Sequence, residues 1–291
     1  MKIEIQHMTR YIYGDPVVDS VNEIRLTPRT NERQSCYHHE VVVEPPAALL
    51  TYEDFFGNRV HAFSVNPAHR ELVIRTRATV VTQDRWPAAD GTTGNAAAPE
   101  EELAQLQSEK LQDRYIEFLL PTEYTADGAD VRDYAEAYPF GDDGLRAWAG
   151  RLCAGIHRDF TYDPSATDVH TTVSETLRLR RGVCQDYAHL MIAVCRSKGV
   201  PARYVSGYHF VGDLEGARAD FVQASHAWLE VQIPGTGWIG FDPTNNGEVG
   251  GRYVKLGHGR DYKDIVPVKG VYFGTVEQRL EVKVDVRRLE D

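Results

Sequence analysis

Cysteine is scarce in this chain, which has 4 cysteines among 291 residues. Domains held together by disulfides have far more cysteine in far shorter chains, and structural zinc sites need ligands at paired spacings such as CxxC. No two cysteines here have that spacing; they are Cys36, Cys153, Cys184 and Cys195. We therefore predict no disulfide framework, no metal site and reduced thiols.

Long apolar segments and an excess of positive charge are also missing. No apolar run approaches the ~20 residues that span a bilayer, and the alternating segment Met1–His7 lacks the apolar core of a signal peptide. Lys plus Arg number 32 against 43 Asp plus Glu, which gives a net charge of −11. Such an acidic chain disfavours nucleic acid and anionic membranes as partners. We expect a cytoplasmic protein with neither partner.

The length is about twice that of an average domain of ~150 residues, which predicts two domains. Residues 1–86 are rich in β-branched and aromatic residues, with strands expected near 37–43, 60–65 and 72–81. Turn formers separate these runs, among them Gly14-Asp15-Pro16. We predict an antiparallel β sandwich or barrel here. Residues 87–100 are small, polar and aperiodic, which is typical of a linker or mobile loop.

Residues 101–291 change from a helical period to a strand period along the chain. Apolar residues spaced as on one helix face predict helices at 145–160, 173–180 and 183–198. Strands are expected at 202–210, 225–233, 237–241 and 269–286. Helices followed by strands indicate an α+β second domain.

The third of these helices begins with the segment 181–190, Arg-Gly-Val-Cys-Gln-Asp-Tyr-Ala-His-Leu. Cys184 falls in its first turn, where free backbone N–H groups and the helix dipole favour a thiolate, the nucleophilic form. The alternative is that Cys184 only extends the apolar stripe of Tyr187, Leu190 and Val194, since a free cysteine is more often a small buried residue. The segment alone leaves both interpretations open.

A thiolate nucleophile needs a base and a group that orients the base. His226 begins one predicted strand and Asp242 ends the next, with a Pro-Gly-Thr-Gly turn between the strands. A symmetric turn pairs Asp242 with Leu229, so a bulge of about three positions would be needed to bring it to His226. Taken singly, a strand histidine and an Asp-Pro turn are structural; taken with Cys184 they match a nucleophilic triad.

Four segments follow one another in a specific order: 182–190 (GVCQDYAHL), 199–208 (GVPARYVSGY), 225–228 (SHAW) and 240–244 (GFDPT). Together with the β-rich N-terminal region, they resemble the bacterial transglutaminase-like proteins over nearly the whole chain. The resemblance implies a papain-like core in which Cys184 is the nucleophile, His226 the base and then acid, and Asp242 the residue that orients the imidazole.

The resemblance also implies attack on a peptide or glutamine-type amide, a thioester intermediate and no cofactor. It implies a protein or peptide substrate and allows an amine acceptor, while hydrolysis by a cysteine protease or amidase of the same fold remains an alternative. A non-catalytic binding or scaffolding protein is the alternative from another class. Gln185, Trp228 and Asp261 are weaker candidates for substrate or oxyanion binding. No acidic segment fits a calcium-binding EF-hand loop.

Overall fold

The N-terminal region forms a curled antiparallel sheet around one long strand. The structure, a computed structural model, describes residues 1–84, 98–212 and 225–289. This sheet contains five strands from the N-terminal region and two from the C-terminal end of the chain. They are β1 (Lys2–Ile24), β2 (Gln34–Glu44), β3 (Leu50–Glu53), β4 (Arg59–Val65), β5 (His69–Thr82), β13 (Val268–Phe273) and β14 (Gln278–Arg288).

Strand β1 serves both halves of the sheet. Its first half pairs with β5 and β14, and its second half pairs with β4 and β13. The turn predicted at Gly14-Asp15-Pro16 is wrong, because the strand continues through these residues. The pairing with β5 changes register between Ile12 and Val17, so the chain bends by a bulge instead of reversing.

The second sheet is antiparallel, with the strand order β11-β10-β9-β8-β12. Its strands are β8 (Ala202–His209), β9 (His226–Ile233), β10 (Gly237–Asp242), β11 (Gly247–Glu248) and β12 (Tyr253–Gly259). Alternate residues of β9 face opposite sides: Leu229 and Val231 join the core beneath the helices, whereas Trp228 packs in a separate cluster with Val205 and Val249. This alternation separates an apolar face of β9 from a face that carries polar groups.

The helices cover the apolar face of the second sheet. They are α1 (Pro99–Leu106), α2 (Glu109–Tyr115), α3 (Ala129–Glu136), α4 (Gly144–Asp159), α5 (Val173–Leu179) and α6 (Cys184–Ser197), and two short strands, β6 (Thr161–Tyr162) and β7 (Arg181–Gly182), pair in parallel beside them. The predicted helices at 145–160, 173–180 and 183–198 are confirmed as α4, α5 and α6 within a residue or two. Among the described residues, no helix is long and apolar enough to cross a membrane.

The two sheets share a core. Tyr208 of β8 and Leu256 of β12 are buried together with Ile3 and Ile5 of β1, and Tyr208 Oη lies 2.7 Å from His7 Nδ1. Strands β13 and β14 fall in the range 101–291 assigned from the sequence to the catalytic domain, yet they pair with β1. The division at residues 86 and 101 stays a prediction, and most of the predicted linker lies outside the described residues.

Candidate active site

The N-terminus of α6 positions Cys184. The parallel pair of β6 and β7 fixes the chain just before this helix, with Tyr162 opposite Gly182. The Asp186 carboxylate then accepts a hydrogen bond from the Val183 amide at 2.7 Å, which satisfies one of the free N–H groups at the helix start. Cys184 is partly exposed there.

Asp186 is buried and makes a second contact that ties this turn to a neighbouring loop. It is 1% exposed and its Oδ2 also accepts a hydrogen bond from the Thr167 hydroxyl at 2.7 Å. Burial raises the pKa of Asp186 although both hydrogen bonds favour its charged form. A β-carbon at Gly182 would lie 2.6 Å from Asp186 Oδ2, so only glycine leaves room for the carboxylate to reach Val183.

His226 and Asp242 meet at one end of the second sheet. His226 Nε2 donates to Asp242 Oδ2 at 2.7 Å; the Asp242 side chain is fully buried and that of His226 is 13% exposed. The three-position bulge expected from the sequence does not occur, because β9 and β10 pair regularly with Phe241 opposite Leu229. Asp242 and His226 are therefore diagonal neighbours, offset by two residues, on the same face of the sheet. The imidazole side chain is long enough to span this offset.

His226 and Asp242 each stabilise the charged form of the other. Burial alone would lower the pKa of His226, but the Asp242 carboxylate and hydrogen bonds to Asp242 and Cys184 raise it well above its usual value. Burial would raise the pKa of Asp242, but the imidazolium and its hydrogen bonds hold it well below its usual value. The Cys184 thiol therefore adjoins an imidazole that keeps its proton at neutral pH.

Residues that the sequence analysis did not single out complete the surroundings of Asp242. Oδ2 also accepts hydrogen bonds from Asn245 Nδ2 at 2.6 Å and from the Tyr253 hydroxyl at 2.8 Å, while Oδ1 accepts from the Thr244 amide at 2.9 Å. The Asp-Pro-Thr-Asn sequence is a turn in which an aspartate commonly caps the following amides, so Asn245 had a local signal. Tyr253 arrives from β12, and no spacing in the sequence connects it to Asp242.

The three weaker candidates from the sequence, Gln185, Trp228 and Asp261, are all buried. Gln185 is buried and donates from Nε2 to the Val169 carbonyl at 3.1 Å. Trp228 is 1% exposed, with its ring centroid 6.2 Å from that of His226. Asp261 is buried and accepts from the Lys263 amide at 2.8 Å. Of the three, Trp228 adjoins the His226 imidazole.

Two family models match this chain. The bacterial transglutaminase-like N-terminal region matches residues 3–81, and the transglutaminase-like superfamily matches residues 132–243. An uncharacterised protein of Mycobacterium leprae is 34% identical over 294 residues, which cover 99% of this chain and 99% of that protein. The chain belongs to the transglutaminase-like superfamily. The range matched by the superfamily model contains Cys184, His226 and Asp242.

Other relatives of this transglutaminase-like chain differ in how much they share with it. A protein of Mycobacterium tuberculosis is 37% identical over 98% of this chain and 92% of its own length. A protein-glutamine gamma-glutamyltransferase of Pseudomonas aeruginosa is 37% identical over 93 residues, 30% of this chain and 14% of that protein. A solved structure from Cytophaga hutchinsonii, described as a candidate cysteine protease, superposes with a TM-score of 0.76 and 23% identity, covering 100% of this chain and 91% of that one. This superposition shows the shared fold.

Proposed function

We propose that this protein is a cysteine-dependent acyl-transfer enzyme that acts on glutamine-type amides of protein or peptide substrates. The observation that carries the proposal is the hydrogen-bonded chain from Cys184 through His226 to Asp242. It combines a partly exposed cysteine at a helix N-terminus with a base that has one nitrogen toward the thiol and the other held at 2.7 Å by a buried carboxylate. Such an arrangement is the requirement for nucleophilic catalysis.

In the first half-reaction, the Cys184 thiolate attacks the amide carbon. A carbon–sulfur bond forms while the carbonyl electron pair moves to oxygen. His226 then gives its proton to the amide nitrogen, the carbon–nitrogen bond breaks and ammonia leaves a thioester. Asp242 keeps the imidazole oriented and stabilises its positive charge, so its role is that of a positioning residue.

The second half-reaction regenerates the thiolate. An incoming amine attacks the thioester, passes a proton to His226, and the carbon–sulfur bond breaks to release the cross-linked product. If water attacks instead, the same steps produce a carboxylate. In both halves the backbone N–H of Cys184 is the proposed donor to the oxyanion, because the first residue of a helix has no carbonyl within the helix to bond.

The experiment combines two measurements on one glutamine-containing peptide, with and without a primary amine. We expect ammonia release and amine incorporation that Cys184→Ala abolishes. Cys36→Ala is the matched control, since Cys36 is also a partly exposed free thiol but lies on β2. Its activity should equal that of the unaltered protein.

The other outcomes point to the alternatives. Ammonia release without incorporation indicates a glutaminase, and cleavage of the peptide backbone indicates a protease. Absence of every product, together with equal alkylation rates of Cys184 and Cys36 by iodoacetamide, contradicts the proposal and favours a binding protein.

A further inference from the structure

A third ring lies beside the His226–Asp242 pair. His209, on β8, has its ring centroid 5.7 Å from that of His226 and stacks on Tyr253 at 4.2 Å. Gly207 pairs with His226 across β8 and β9, so His209, two residues further on, is its diagonal neighbour on the same face. The triad does not use His209.

The side-chain amide of Asn245 occupies the point between these groups. Asn245 Nδ2 lies 3.4 Å from His209 Nδ1, 3.4 Å from His226 Nε2 and 2.6 Å from Asp242 Oδ2. His209, His226 and Asp242 can each offer one ligand atom within 4.8 Å of the other two. Two imidazole nitrogens and a carboxylate oxygen around one point form the donor set that zinc and related ions take in proteins.

Two further features suit a cation at this point. Asn245 is an exposed residue, so its side chain can rotate outward without unpacking a core. Asp242 is meanwhile held in place by Tyr253 and the Thr244 amide, as metal-binding carboxylates usually are.

We propose that His209, His226 and Asp242 bind a divalent transition-metal ion, with zinc as the probe, when the Asn245 side chain turns outward. The ion takes the place of the Asn245 amide nitrogen and of the hydrogen bond between His226 and Asp242. A solvent water completes a tetrahedral set.

A metal ion bound at this site would inhibit acyl transfer. This consequence rests on the proposed function, whereas the binding of the metal does not depend on it. An ion on Nε2 leaves the remaining imidazole proton on Nδ1, toward Cys184. The imidazole then has no lone pair to accept a proton from the thiol or from an attacking amine, and it has lost its contact with Asp242. Both half-reactions stop.

The test measures zinc binding to the full chain by titration calorimetry, and cobalt binding by visible absorption, in five proteins. Relative to the unaltered protein, His209→Asn should weaken binding about tenfold or more, because even outer contacts of a metal site are worth about 10- to 100-fold. Asn245→Ala should tighten binding, because the competing amide is gone. Cys184→Ala should bind with unchanged affinity, and His170→Asn, an exposed histidine, serves as the matched control.

The opposite pattern overturns the proposal. Loss of binding in Cys184→Ala or a sulfur-to-cobalt charge-transfer band would place the ion on the thiolate instead, and equal affinity in His209→Asn would exclude His209 as a ligand. Thermal unfolding verifies that His209→Asn folds; if it does not, the Asn245→Ala and Cys184→Ala affinities still decide. Zinc that binds as described to a protein without acyl-transfer activity would contradict only the proposed function.

Discussion

One face of β9 carries two clusters, each of which pairs a carboxylate with cationic side chains. They are centred on His226 and Glu230, four residues apart on the strand. His226 contacts Asp242 at 2.7 Å, and Glu230 contacts both Arg203 and Lys255 at 2.6 Å. Trp228 lies between them on the same face. The two clusters are shielded alike, since the His226 side chain is 13% exposed and that of Arg203 is 14% exposed. Exposure therefore does not separate the catalytic candidate from the structural cluster.

The nature of the cation separates them. Glu230 lies between two cations: burial would raise its pKa, but Arg203 and Lys255 lower it to about 2. In the Asp242 cluster the cation is a histidine, which can give up its proton and which also touches a thiol. A carboxylate that binds an arginine and a lysine stabilises a fold, whereas a carboxylate that binds an imidazole in contact with a thiol can support proton transfer.

The largest expected effect is that of Asp242→Asn on activity. The amide removes the negative charge, burial then lowers the pKa of His226, and the imidazole is no longer held in its orientation. We expect kcat/KM to fall about 10³- to 10⁴-fold, and the alkaline limb of its pH profile to move to lower pH. Asp285→Asn, on β14, is the control. A large loss of rate with an unmoved alkaline limb would refute the electrostatic role of Asp242.

The next effect is that of Glu230→Gln on stability. It leaves Arg203 and Lys255 buried without their carboxylate, which should lower the free energy of unfolding by about 3–5 kcal/mol in urea titrations. Because the pKa of Glu230 is depressed in the folded state, its contribution is complete above its usual value of 4.5 and is lost as the pH falls toward 2.

The exposed Glu40→Gln on β2 is the control for this measurement and should change stability by less than about 0.5 kcal/mol. If Glu230→Gln also changed the free energy of unfolding by less than about 0.5 kcal/mol, the Glu230 cluster would not stabilise the fold.

A smaller effect is expected from Tyr253→Phe. It removes one hydrogen bond to Asp242 Oδ2 and leaves those from His226 and Asn245 in place. A hydrogen bond to a charged group contributes about 1.5–3 kcal/mol, so kcat/KM should fall about tenfold or somewhat more. Tyr272→Phe, on β13, provides the comparison. Unchanged activity in both variants would show that the Tyr253 hydroxyl does not support the triad.

The smallest effect is that of Arg203→Lys. Two guanidinium nitrogens of Arg203 reach Glu230 Oε2 at 2.6 Å, and a third donates to His258 Nε2 at 3.1 Å. Lysine keeps the charge but not this fork, so stability should fall by about 1 kcal/mol. Arg75→Lys, an exposed partner of Glu44, should show no measurable change. A larger loss than that of Glu230→Gln would reverse the order of importance within the cluster.

The sequence supported the fold class and most elements because their signals are local. Helix α6 has an apolar stripe and a Gly-Pro end, and β9 alternates clearly. The extent of β1 was not predictable, because Gly14 and Pro16 signal a turn locally while the pairing with β5 and β14 comes from distant parts of the chain. The contact between His226 and Asp242 was anticipated as a possibility, but by a bulge and not by a diagonal reach.

The residues that surround His226 and Asp242 could not be predicted from the sequence for the same reason. Asn245 follows Asp242 closely and had a turn signal, whereas His209 and Tyr253 come from other strands. Sheet topology brings them together, and no residue spacing records that topology.

The dual role of β1 has a consequence for how the protein is made. Ile3 lies opposite Arg288, and the Leu289 amide donates to the Lys2 carbonyl at 2.9 Å, so strands separated by most of the sequence are neighbours. During synthesis β1 emerges long before β13 and β14, so one of its edges waits for partners that are translated much later. Such long-range pairing slows folding and leaves a strand edge open to other chains in the meantime. We therefore expect the β1 sheet to close only after β14 has left the ribosome.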